Sequence, residues 1–165
     1  FFGSHKKEFN FGIPETWESQ NPLPEGFPVR VNVLWNTFIL EGLLNHGESS
    51  RAAKLFTNLM CTINQGLKDY DGFFPLFDDQ TGIPVGQYNA ITGLVPIRLF
   101  LKIAGIKLLS PTRVVLWGIN PFPWPVEIHW KGLSLWKEHE RTKITFPSGA
   151  TAEQNSEKPI LIASK

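Results

Sequence analysis

Apolar residues change their spacing once along this chain, and that change limits what the chain can fold into. Leu34, Trp35, Phe38, Ile39, Leu43 and Leu44 recur at helical spacing, and Gly47 follows as a C-terminal cap. Ser49 or Ser50 then opens a second helix, whose stripe runs through Ala52, Leu55, Phe56, Leu59, Met60, Ile63 and Leu67. The link between the two is short, so the pattern predicts an antiparallel helical hairpin. A third helix is expected from about Asn89 to Ala104, ending at Gly105, with Pro96 tolerated where it starts a new turn or kinks the rod. It has little polar face beyond Arg98 and Lys102, so it calls for burial nearly all round. After Pro111 the period falls to two. The runs Arg113 to Trp117, Pro125 to Trp130, Leu133 to Lys137, Lys143 to Phe146 and Pro159 to Ala163 read as strands of a meander or small sandwich with one wet face.

Two stretches fit neither period. Residues 10 to 29 carry Pro14, Pro22, Pro24 and Pro28 with Gly12 and Gly26, which excludes a regular helix and predicts an extended loop pinned by Trp17 and Phe27. Asp69 to Gln87 is a long excursion rich in Asp, Gly and Pro, and excursions of that length inside compact domains tend to be functional. The reading is therefore two domains, 1-109 helical with a Pro-rich N-terminal loop and 110-165 a small β domain.

Composition narrows the function classes. With 42% hydrophobic and 19% charged residues in 165, the chain should fold rather than stay disordered. Lys and Arg number 16 against 15 Asp and Glu, and this net charge of +1 gives no electrostatic reason for a nucleic-acid or anionic-membrane partner. No apolar run approaches the roughly 20 residues of a membrane span, so the chain reads as soluble. The lone Cys61 excludes an intrachain disulfide, fits cytoplasm and secretion alike, and reads as a core thiol. His5, His46, His129 and His139 share no metal-ligand spacing, so no metal is expected. There is no P-loop, GxGxxG, GxSxG or HExxH.

Glycosidic bond cleavage uses two carboxyl groups, with aromatic rings to stack the sugar. The first loop supplies Glu15, Trp17 and Glu18; the second supplies Asp71, Phe73, Phe74, Phe77, Asp78 and Asp79. Arg30, Asn32, Trp35 and Asn36 lie at the entry to the first helix, where Asn36 would either cap the helix or bind hydroxyls.

Phe11-Gly12-Ile13-Pro14, and Asn32-Val33-Leu34-Trp35-Asn36 leading into Leu40-Glu41-Gly42-Leu43-Leu44-Asn45-His46-Gly47, resemble the last hairpins of the trehalase and processing α-glucosidase superfamily. Phe73-Phe74-Pro75-Leu76-Phe77-Asp78-Asp79-Gln80-Thr81-Gly82 is similar to the aromatic loop of that superfamily. The segment from Asn120 to Pro147 is similar to the small β appendage of some bacterial members. The resemblance implies an α+β chain in which hairpins of an incomplete six-hairpin (α/α)6 toroid precede a small antiparallel sheet. It further implies an inverting glycoside hydrolase without a cofactor, completed by toroid helices from the same or another chain. The relatives' base, a Glu, aligns with Pro75, and their general acid lies upstream of the residues present here. The expectation is accordingly a piece unlikely to hydrolyse by itself, contributing one wall of a sugar site. Asp78 and Asp79 are then the catalytic candidates, and Arg30, Asn32, Trp35, Asn36, Phe74 and Phe77 the carbohydrate-binding ones.

Two readings from other classes stand beside it. One is a non-catalytic carbohydrate-binding module using Trp117, Trp124, Trp130 and Trp136. The other is a structural piece of a larger assembly, buried through the apolar third helix.

Overall fold

The computed structural model describes residues 10–15, 29–95, 97–154 and 158–164. The expected anchors Trp17 and Phe27, together with Glu18 and His5, lie outside the described residues. The chain divides into two compact units, Phe1–Pro96 and Ile97–Lys165. Among the described residues there are three α-helices and ten strands, the strands arranged in three antiparallel sheets.

In the first unit, α1 (Val33–Asn45) and α2 (Ser49–Tyr70) form the hairpin that their spacing predicts. Asn32 caps α1, its side-chain oxygen accepting the Trp35 N–H at 3.2 Å, which satisfies one of the orphan donors at a helix start. α2 buries Ala52, Ala53, Leu55, Phe56, Leu59, Thr62, Ile63 and Gly66 along one stripe. Cys61 falls on the wet side of that helix and is exposed, so it is not the core thiol that its apolar neighbours suggested. α1 buries Val33, Asn36, Thr37 and Leu40 while leaving Leu34, Trp35 and Phe38 exposed. β1 (Arg30–Asn32), β2 (Leu76–Asp78) and β3 (Pro84–Val85) make a small sheet in that order, with Val31 opposite Phe77. Both of those side chains are buried, each contributing roughly 1.5–3 kcal/mol of apolar burial.

The expected third helix is not one rod. A 3-10 turn at Ile91–Gly93 packs near α1, Leu94 is extended (φ −107°, ψ 133°), and α3 covers only Ile97–Ile103. Pro96 supplies the reason, because a proline pushes the residue before it out of the α region and removes a helix N–H.

In the second unit, α3 lies against β4 (Ile106–Ser110), which pairs with β5 (Arg113–Leu116), and β10 (Ile160–Ala163) adds to the other edge of β5. A meander follows: β6 (Val126–Trp130), β7 (Leu133–Lys137), β8 (Thr142–Thr145) and β9 (Thr151–Gln154). Lys131 and Gly132 link β6 to β7 with φ of 47° and 81°, the pair of positive φ angles that a type I′ turn requires. Alternation puts Val126, Leu133, Leu135 and Ile144 inward, with Glu127, His129, Lys143 and Glu153 on the wet face. With Leu99, Ile103, Ile106, Val114, Leu116, Phe122 and Phe146 they form the core of this unit. Lys137, also inward, donates from Nζ to the carbonyl of Trp117 at 3.0 Å and to that of Gly105 at 3.5 Å, tying the meander to the first sheet of the unit.

This architecture overturns the toroid. An (α/α)6 ring is built from helical hairpins, whereas here one hairpin is accompanied by three sheets, and the excursion expected to line a toroid pocket is itself sheet, β2 and β3. The resemblance to the trehalase and α-glucosidase superfamily, the incomplete-toroid fold class and the glycosidase assignment that depended on them are corrected accordingly. The fold is a mixed α+β one. No helix among the described residues is long and apolar enough to cross a membrane.

Candidate functional site

In the first unit the expected site residues occupy three settings. Asn36 is fully buried: it accepts the Ile13 N–H and donates to the carbonyls of Ile13 and Asn32, all at 2.8 Å. These bonds stitch the 11–13 segment to α1 and engage both amide hydrogens and the amide oxygen. Asn32, besides capping, donates to Glu15 at 2.6 Å, and Phe77 is buried against Gly66. Phe74 stands edge-on between Tyr70 and Tyr88, at centroid distances of 6.1 and 5.7 Å.

The two catalytic candidates sit in the β2–β3 hairpin. Asp78 accepts three hydrogen bonds on one oxygen, from the Thr81 hydroxyl at 2.7 Å, the Thr81 N–H at 2.8 Å and the Gln80 N–H at 3.1 Å. The Thr81 hydroxyl, and then its N–H, hold the carboxyl below its ordinary value of 3.8, which makes it a turn former and a poor proton acceptor. Asp79 donates its N–H to the Val29 carbonyl at 3.3 Å. Arg30 stands opposite Asp78 in register, and Trp35 is exposed on α1, edge-on to Phe38 at 6.0 Å.

The second unit holds a cleft of about 510 Å³ lined by Phe122, Pro123, Trp124, Pro125, Glu138, His139, Glu140 and Arg141. One wall is the 120–125 loop, which three prolines and a buried asparagine keep from regular structure. The Asn120 side chain donates to the carbonyls of Trp124 (2.8 Å) and Lys137 (3.2 Å) and accepts the Phe122 N–H (3.1 Å), so the loop closes on itself. Phe122 is buried and lies between Phe100, at 5.3 Å, and Trp124, stacked at 5.5 Å with 22° between planes. Trp124 is thus backed by an aromatic ring while 44% of its surface stays open.

The other wall is the β7–β8 turn, closed by the Glu138 N–H on the Arg141 carbonyl at 2.8 Å. A reciprocal pair of bonds joins the walls: the Asn120 N–H donates to the His139 carbonyl at 2.8 Å, and His139 Nδ1 meets the Asn120 carbonyl at 3.2 Å. That carbonyl can only accept, so Nδ1 carries the proton and Nε2 is the acceptor of the neutral ring. Arg141 donates from Nη2 to both oxygens of Glu153, 2.9 Å to each, and this hydrogen bonding, then the charge of Glu153, raises its pKa further. Lys137, just before the turn, is 2% exposed, and desolvation lowers its pKa to about 8.

Of the four tryptophans singled out in the sequence for binding, Trp117, Trp130 and Trp136 are half-buried and Trp124 is the exposed one. The opposing residues Glu138 to Arg141 escaped sequence reasoning, because a charged turn carries no signal of the loop it will face. Among the described residues no cluster of His, Cys, Asp or Glu could hold a metal ion. No protein-family model matches the chain, and no curated protein or solved structure matches it either.

Proposed function

We propose that the second unit is a non-catalytic carbohydrate-binding module whose contact surface is the Trp124 cleft. The observation that carries this reading is the open, aromatic-backed face of Trp124 set against polar side chains capable of meeting hydroxyl groups. An indole face buries the apolar face of a pyranose ring, and polar groups around it select the orientation of the hydroxyls. Proton-transfer chemistry is not part of the reading.

Titration of the full chain with oligosaccharides, followed by calorimetry and by tryptophan fluorescence, tests it. Binding of one or more in the micromolar to millimolar range is expected, with W124A weakening it about tenfold or more, which is about 1.4 kcal/mol. W35A, on a different unit, serves as the control for indiscriminate loss of an exposed tryptophan. Unchanged binding in W124A would remove the cleft from consideration.

A further inference from the structure

We infer that the cleft prefers a glycan carrying ammonium groups, an amino sugar, over neutral or uronic-acid oligosaccharides. The inference rests on the carbohydrate reading of the same cleft and adds the charge class of its ligand.

Its side chains are unbalanced toward hydrogen-bond acceptors. Glu138 and Glu140 are exposed on the lining and, when ionised, only accept. The cation of the lining, Arg141, holds both oxygens of Glu153 on β9 through Nη2, so its charge is offset by a carboxylate already present. Glu138 also lies close enough to add to the field at Arg141. The net field over the Trp124 face is therefore negative: Glu153 offsets Arg141, while Glu138 and Glu140 remain. The Asn120 amide hydrogens are used inside the loop on the carbonyls of Trp124 and Lys137.

A ligand rich in donors matches this set, and a cation matches it best. An ammonium seated over an indole face gains from the ring quadrupole, and flanking carboxylates add charge-assisted hydrogen bonds. A uronic acid would bring a carboxylate against Glu138 and Glu140, beside an Arg141 whose charge Glu153 already offsets.

The test compares three oligosaccharides of equal length at about pH 6, where the glucosamine amines are substantially protonated and carboxylates stay ionised. They are a glucosamine oligomer, its N-acetylated counterpart and an oligogalacturonate, titrated against the full chain and against E138Q/E140Q. The glucosamine oligomer is expected to bind about five- to tenfold tighter than the N-acetylated one, the size of two partly exposed ion pairs, with the uronate weakest. In E138Q/E140Q the ratio between the first two should fall toward one, and in the unaltered chain added salt should shrink it as well. Equal binding of all three, or a preference that survives in E138Q/E140Q, overturns the charge inference and leaves the carbohydrate reading in place. Failure of the unaltered chain to bind any oligosaccharide overturns the reading itself, and the inference with it.

Discussion

Lys137 is a buried amine whose Nζ donates to two backbone carbonyls, and its cost depends on pH. Its pKa falls from an ordinary 10.5 to about 8 because burial disfavours the charged form. Folding therefore expels a proton between those two values, so stability should rise as pH climbs from about 8 to about 10.5 and stay flat below. The gain amounts to roughly 2 kcal/mol once residual solvent screening is allowed for. Urea denaturation at pH 7.5 and pH 10 should show it, and K137M, which keeps the stem and drops the amine, should lose most of the difference. A pH response identical in K137M would place its origin in other groups. Asn36, also fully buried, is neutral and has both amide hydrogens and its oxygen bonded at 2.8 Å, so its burial carries no such pH dependence; its position at a helix start leaves capping and ligand binding equally open from sequence.

At the scale of elements, the tightest constraint sits where α3 turns into β4. Gly105 has φ +69°, and a Cβ there would lie 1.9 Å from the Trp117 carbonyl oxygen. Gly149, at φ +82°, has open space around the same position. G149A should thus cost about 1 kcal/mol, the backbone penalty alone, and G105A about 3 kcal/mol or more. Thermal denaturation of both variants decides whether the close approach matters, since equal losses would deny it. The helical hairpin was legible in sequence because Ala52 through Ile63 repeat every three to four residues, and β6 and β7 were legible because Val126, Ile128 and Trp130 alternate with charged neighbours. β1, β2 and β3 were not, since strands of two or three residues are too short to show a period. The third helix is shorter than its apolar run, because a proline at 96 disfavours the α conformation just before it, and α3 covers only Ile97–Ile103.

At the scale of the molecule, a likeness between short loops did not decide the architecture. Phe73 to Gly82 resembles an aromatic pocket loop by residue order, yet Asp78 capping Thr81 and Phe77 facing Gly66 turn it into a hairpin of a sheet. Half of the candidate site was nevertheless within reach, through Trp124 and the proline run around it; the half contributed by Glu138 to Arg141 depends on a fold-back that only tertiary structure reveals. The second unit has its own core, so residues 97–165 expressed alone should unfold cooperatively in urea and bind oligosaccharide within about twofold of the full chain. A loss of cooperativity would show that its core needs the rest of the chain.

The reciprocal bonds between Asn120 and His139 bear on kinetics. Because the two walls are already fastened to each other and Trp124 is already propped by Phe122, little of the site has to be ordered when a ligand arrives. Arrival rates should then be much alike for every glycan small enough to enter, and the cleft would discriminate among them by how long each one stays.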